Sequence, residues 1–169
     1  VMQSAVMAIA SHGRGLFSVN RALPPEGVPL RDLWQWCTTV REHRGDSHVA
    51  ALAVLGISGL EATVLLAIEQ GIDLEMFEES RGWHHDHMSG TVERLVKIGL
   101  LESRDRLSDA GRKLRVEVED MTDRQAFAVV SRLALEYEAV LAVLESAAGR
   151  IREQQEIPFP NPMGLDRPS

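Results

Sequence analysis

Residues 84–112 have the sequence HHDHMSGTVERLVKIGLLESRDRLSDAGR, which contains the most informative structural signals of the chain. Apolar residues recur at helical spacing up to Gly99, which predicts a helix over about residues 85–98. Two apolar ends then flank a charged tip in residues 100–107, and this pattern predicts a tight β-hairpin. Ser108 is a good helix N-cap, so we expect a further helix to begin directly after the hairpin.

Two shorter helices are predicted immediately upstream. The sequence Ser-Gly-Leu-Glu at residues 58–61 has the form of a capping box, and Gly71 can end the helix that it opens. Asp73 is the N-cap candidate of a short helix that Gly82 ends. Residues 58–122 therefore contain a helix, a short helix, a helix, a hairpin and a helix, which is the order found in a winged helix-turn-helix unit.

Helical segments flank this unit on both sides. Residues 1–29 contain a helical segment and a linker, and we expect them to be the end of a longer upstream region. Residues 30–57 form a helical pair that breaks at residues 45–46, or else one bent helix. An apolar stripe of helical period predicts a long helix over residues 123–155, part of which we expect to serve a partner. Residues 156–169 contain four prolines and should form an extended tail.

The composition is that of a globular protein. Hydrophobic residues make up 44% of the chain and charged residues 25%, which excludes disorder of the whole chain. The single cysteine, Cys37, cannot form an internal disulfide, and no signal peptide is visible, so we expect a cytoplasmic protein. Residues 49–68 carry only one charge, Glu61, but the capping box at their centre favours two short buried helices over a membrane span.

The charges are unevenly distributed along the chain. The net charge of −7 argues against a protein that coats nucleic acid or anionic membrane over its whole surface. Residues 80–115, however, contain eight basic and five acidic residues, so this segment is positive within an acidic chain. Such an asymmetry is typical of an acidic body that presents one basic face to DNA.

Two resemblances follow from these motifs. Residues 99–112 resemble the wing and the following helix of MarR-family regulators. Over nearly the whole chain, RGDSHVAAL at residues 44–52 and FPNPMGL at residues 159–165 resemble an actinobacterial family of helix-turn-helix-like proteins. The resemblance implies a mainly α fold, namely a MarR-like winged helix-turn-helix with flanking long helices and one short β-hairpin wing. It implies no particular reaction.

The third helix and the wing of a winged-helix protein are its usual DNA-binding elements. Arginine and lysine there would contact phosphates, and serine, threonine or histidine could touch base edges. The DNA-binding candidates are His84, His85, Ser89, Thr91, Arg94, Lys97, Arg104 and Arg106. Because Asp86, Glu93 and Asp105 lie among them and the wing is very short, a scaffold that does not bind DNA is an equal alternative.

The densest polar cluster lies at residues 41–48, between two apolar helices. Its charges must be solvated, paired or used on a ligand. One interpretation is pairing, in which Arg41 or Arg44 bridges to Glu42, Asp46 or Glu61. A second is a pocket for a small-molecule effector, lined by Arg41, Glu42, His43, Arg44, Asp46 and His48. Catalysis with Glu42 or His43 as general base has the least support, because no nucleophile or oxyanion device is evident, and we expect no catalytic residues.

The histidines of residues 84–87 raise the question of a metal site. His84 and His87 share a helix face, but a transition-metal site needs a third or fourth ligand, so we expect a solvated helix start, no metal and no cofactor. The leading hypothesis is a MarR-like transcriptional regulator that dimerises through its terminal helices. The alternative is a small-molecule binding protein derived from a winged helix, without DNA binding. Neither hypothesis involves a membrane.

Overall fold

The computed structural model describes residues 1–133, 136–155 and 157, and these are mainly helical, as predicted. The helices are α1 (Met2–Met7), α2 (Gly15–Ala22), α3 (Pro29–Leu55), α4 (Gly59–Gln70), α5 (Leu74–Arg81), α6 (His85–Lys97), α7 (Asp109–Leu133) and α8 (Tyr137–Glu153). Two strands, β1 (Leu101–Ser103) and β2 (Arg106–Leu107), form an antiparallel hairpin. The described residues divide into two compact units: unit 1 comprises Val1–Ala51 and Glu119–Arg150, and unit 2 is built on Leu52–Val118.

The predicted start and stop signals of α4 and α5 are confirmed. The Ser58 hydroxyl accepts a hydrogen bond from the Glu61 backbone N–H, and the Glu61 carboxylate accepts one from the Ser58 backbone N–H at 2.9 Å. Both helices end at a glycine with positive φ, Gly71 at 64° and Gly82 at 68°, where a side chain would be strained. Asp73 caps α5. These local signals fix the lengths of the two helices in front of α6.

The core of unit 2 is formed by the inner faces of α4, α5 and α6 together with the hairpin. Its buried members are Val64, Leu65, Ala67, Phe77, Met88, Val92, Leu95, Leu101 and Leu107. Leu101 and Leu107 are direct partners in the hairpin, so its two apolar ends pack on the core while its charged tip stays exposed. Burial of these side chains is the main favourable contribution to the folding of the unit.

The first turn of α7 lies directly against the backbone in front of β1. The Ser108 hydroxyl donates to the Gly99 carbonyl at 2.6 Å, and the Ser108 N–H donates to the Leu100 carbonyl at 3.1 Å. At Gly111, a Cβ atom would lie only 2.1 Å from the Leu100 carbonyl oxygen. A glycine is therefore required for this close approach.

Helix α3 runs without interruption through residues 45–46, so the predicted break there is wrong and the single-helix alternative is right. The Asp46 carboxylate accepts a hydrogen bond from the Phe17 backbone N–H at 2.9 Å instead of capping a new helix. It thus caps α2, whose own N-cap residue, Arg14, makes no capping hydrogen bond. A residue that has the chemistry of an N-cap serves a neighbouring helix here.

Helix α7 also continues where the sequence predicted a boundary, near residues 121–123. Thr122 is fully buried, and its hydroxyl lies 3.3 Å from His48 Nδ1, while Asp123 pairs with Arg44. These contacts are made from consecutive helical positions, and no glycine or proline intervenes. The core of unit 1 contains Ala5, Val6, Ile9, Phe17, Trp36, Val129 and Leu133. Ala134 of the predicted apolar stripe and the FPNPMGL motif lie outside the described residues.

No single helix among the described residues has both the length and the apolar character needed to cross a membrane. Helices α3 and α4 pass the same test only when they are taken together, by length and composition alone.

Candidate nucleic-acid interface

Helices α5 and α6, joined by a short turn in unit 2, lie where the sequence predicts the helix-turn-helix element. Helix α6 buries Met88, Val92 and Leu95, so the candidate DNA-binding residues occupy its remaining faces. His84 is the N-cap residue and makes no side-chain capping hydrogen bond. The positive end of the helix dipole and the first backbone N–H groups of α6 therefore lie beside His84, His85 and His87.

The hairpin tip is tied to α6 by one arginine. Arg104 Nη2 donates to the Ser89 hydroxyl at 3.0 Å, and Arg104 Nη1 lies 3.3 Å from Glu93 Oε1. Arg106 stays within the hairpin and pairs with Glu102 at 2.7 Å. Beside them, a hydrogen bond from the Ser103 hydroxyl lowers the pKa of Asp105, which remains a carboxylate at the tip. The structure thus brings Ser89 and Arg104 together, as parts of one surface.

Arg94 makes a contact that the sequence did not reveal. Its Nη1 atom lies 2.7 Å from Glu61 Oε1, and the Glu61 residue is only 2% exposed. The other oxygen of that carboxylate is occupied by the capping box of α4. Arg94 therefore neutralises a buried charge and links α6 to the start of α4, although most of its own side chain faces solvent.

The remaining candidate side chains differ in how far contacts within the protein already occupy them. Lys97 is exposed at the end of α6. The Thr91 hydroxyl donates to the His87 carbonyl at 2.7 Å, so it is turned back onto its own helix. His85 Nδ1 lies 3.1 Å from Glu78 Oε1, and the rings of His84 and His87 meet edge to face. Among the described residues, no three His, Cys, Asp or Glu side chains are placed to hold one metal ion.

The polar cluster of residues 41–48 belongs to unit 1 and is engaged in contacts within the protein. Arg41 pairs with Glu42 at 2.5 Å, as the pairing interpretation expected. Arg44 instead reaches α7, where it lies 2.7 Å from Glu119 and 3.1 Å from Asp123. With Asp46 capping α2 and His48 beside Thr122, these side chains connect α2, α3 and α7.

His43 is the buried centre of this cluster. It is 1% exposed, its ring packs edge to face on Phe17 at 4.9 Å, and its Nδ1 atom has no hydrogen-bond partner among the residues that the structure describes. Burial, followed by the nearby charge of Arg14, lowers the pKa of His43, and the Asp46 carboxylate opposes the shift only in part. Arg14 itself is held by Ser47 and by the backbone of α7. The imidazole is therefore folded into the protein in its neutral form.

This burial predicts a pH-dependent stability. Because the pKa of His43 is lower in the folded than in the unfolded chain, the unfolded chain binds the proton more readily as the pH falls through the usual range of histidine. The free energy of unfolding should therefore decrease between about pH 7 and pH 5. Urea unfolding of His43→Gln should show a flatter pH dependence. The exposed His12 is the control, and an equal flattening in His12→Gln would contradict the assignment.

A protein-family model described as a helix-turn-helix family matches residues 1–158. The match therefore includes both units as well as the α5–α6 element. Neither the curated proteins nor the solved structures contain a significant match.

Proposed function

Since this chain belongs to that helix-turn-helix family, we propose that it is a MarR-like transcriptional regulator that binds DNA through α6 and the β1–β2 hairpin. The observation that carries the proposal is the contact of Arg104 with Ser89 and Glu93. It joins the hairpin tip to α6, so that a helix and a wing are presented as one surface. Winged-helix regulators use such a pair of elements on adjacent parts of the duplex.

The placement of the side chains suggests that some residues contact phosphates and others contact base edges. Lys97 and Arg104 are exposed cations, which suit phosphate contacts. His84 and His85 stand at the start of α6, the part of a recognition helix that contacts base edges in helix-turn-helix complexes. Thr91 contributes less, because its hydroxyl is already bonded to the helix backbone.

A dimer is the second part of the proposal. Large apolar side chains are exposed on the two terminal helices, including Phe127 at 61%, Val130 on α7 and Val143 on α8. A second copy of the chain that covers them would bury apolar area, and a two-fold axis would relate the two recognition helices. Symmetric half-sites in the operator would then follow from the symmetry of the protein.

The small-molecule alternative has less support. A pocket at residues 41–48 would require polar groups that are available to a ligand, whereas Arg41, Arg44 and Asp46 each bind groups of the protein. We therefore assign no site to a small-molecule effector of the regulator.

The proposal is tested by removing two phosphate contacts at once. We expect Lys97→Ala combined with Arg104→Ala to weaken binding to DNA from upstream of the protein's own gene by about tenfold. The variant makes fewer phosphate contacts, so its binding releases fewer counterions. The slope of the logarithm of affinity against that of salt concentration should become shallower by between about one and two. Fluorescence anisotropy with labelled duplexes measures both quantities.

The matched control is Arg31→Ala combined with Arg41→Ala. These variants remove the same charge, and Arg31 is exposed and ion-paired much as Arg104 is. Both residues belong to unit 1. An equal loss of affinity in the two double variants would mean that DNA responds to net charge alone, and α6 and the hairpin would then not be the interface.

A further inference from the structure

The arginines of the proposed DNA surface are all neutralised within the protein. Arg94, Arg104 and Arg106 contact Glu61, Glu93 and Glu102, respectively. The Arg94 pair is explained by the burial of Glu61. The pair between Arg104 and Glu93 has no such explanation, because their side chains are 63% and 68% exposed, and exposed pairs add little to stability.

We propose that Glu93 sets the affinity of this surface for DNA by occupying Arg104 in the free protein. The inference rests on the proposed function. A carboxylate and a phosphate diester are both anionic oxygen acceptors for the same guanidinium donors. Glu93 therefore lies where a DNA phosphate would otherwise bind, and the duplex must displace it.

The geometry singles out Glu93 rather than Glu102. Glu102 and Arg106 are both part of the hairpin, so their pair leaves the hairpin's relation to α6 unchanged. Glu93 lies on α6 and reaches across to the hairpin tip. Arg104 also donates to the Ser89 hydroxyl, a contact that does not need the carboxylate. Removing the charge of Glu93 should therefore free Arg104 while Ser89 still orients it.

Displacement of Glu93 has a consequence for the salt dependence. When Arg104 moves to a phosphate, the phosphate releases its condensed cation, but the carboxylate left behind attracts a cation from solution. The two events largely cancel. Without the carboxylate, binding of the same phosphate should release one more cation.

The test is Glu93→Gln, which retains the shape and the helix propensity of the side chain and removes only its charge. We expect it to bind upstream duplex DNA about threefold to tenfold more tightly than the unsubstituted protein at low salt. The salt slope should become steeper by about one. Glu26→Gln is the matched control, because Glu26 forms an equally exposed pair with Arg31 in unit 1.

The outcomes separate this inference from the proposed function. A gain in affinity and slope in Glu93→Gln, absent in Glu26→Gln, supports the inference. If the unsubstituted protein binds DNA but Glu93→Gln binds no more tightly than Glu26→Gln, the inference is overturned and the proposed function stands. If none of the three proteins binds DNA at low salt, the proposed function fails and the inference fails with it.

Discussion

Replacing Gly111 by alanine should destabilise the protein by about 3 kcal/mol, because the added methyl group has no space. A Cβ atom at this position would lie 2.1 Å from the Leu100 carbonyl oxygen and 3.2 Å from the carbonyl carbon. Both atoms belong to the backbone, so no side-chain rotation can relieve the contact. The first turn of α7 would have to move away from the hairpin. This movement would lengthen the hydrogen bonds that Ser108 donates to the Gly99 and Leu100 carbonyls.

Gly90→Ala is the control for this prediction. Gly90 lies within α6, and a Cβ atom there would meet nothing within 4 Å. Alanine has the higher helix propensity, so Gly90→Ala should raise the free energy of unfolding by about 0.5–1 kcal/mol. Urea unfolding of both variants measures the difference. If Gly111→Ala were as stable as the unsubstituted protein, the close packing of α7 on the hairpin would be wrong.

Replacing Arg94 by alanine should lower the stability by about 2 kcal/mol, because Glu61 would keep its buried charge without the counter-charge. The expected loss of stability is smaller than for a fully buried ion pair, because the Arg94 side chain is 60% exposed. Water can therefore occupy the space that the arginine leaves and solvate Glu61. For the same reason, Arg94→Ala alone is a poor test of DNA binding. A loss of affinity in that variant would combine a lost cation with a weakened unit 2.

A double-mutant cycle isolates the pair. Glu61→Gln can keep the capping hydrogen bonds but removes the charge, so Arg94→Ala should cost less than half as much in that background. Arg106→Ala, which breaks an exposed pair, should change the stability by less than about 0.5 kcal/mol. If Arg94→Ala has the same effect with glutamate and with glutamine at residue 61, the two side chains are not coupled.

The order of elements in unit 2 could be predicted because its signals are local. The capping box at Ser58, the glycines at residues 71 and 82, and the apolar ends of the hairpin each act over a few residues. Gly111 is a further sequence signal, because glycine has a low helix propensity and a glycine early in a predicted helix suggests that another backbone segment approaches closely. Its partner, the Leu100 carbonyl, is not apparent from the sequence.

The misplaced boundaries have a common physical cause. Asp46 and Asp123 have the chemistry of helix caps, and the sequence gives no sign that their partners are distant. In the structure, Asp46 caps α2 and Asp123 binds Arg44, so both sit inside continuous helices. The pairing of Arg94 with Glu61 was missed for the same reason, since contacts between separate helices depend on packing rather than on spacing.

The sequence therefore predicted where the candidate residues lie in the chain's elements but not what they contact. It placed Ser89 and Arg94 on a helix and Arg104 on a hairpin, as the structure has them. It did not show that each of the arginines has a carboxylate partner, although the acidic residues among them were visible. That difference matters for function, because the free cationic charge of the surface is smaller than the number of basic residues suggests.

We propose that this helix-turn-helix protein binds specific DNA. The most direct measurement is the fluorescence anisotropy of the unsubstituted protein with duplexes tiled across the DNA upstream of its own gene, and with scrambled duplexes of the same composition, over a series of salt concentrations. We expect at least one upstream duplex to bind more tightly than its scrambled control, with an affinity that falls steeply as salt is added. Equal binding of native and scrambled duplexes, or no binding at the lowest salt concentration, would contradict the proposed function.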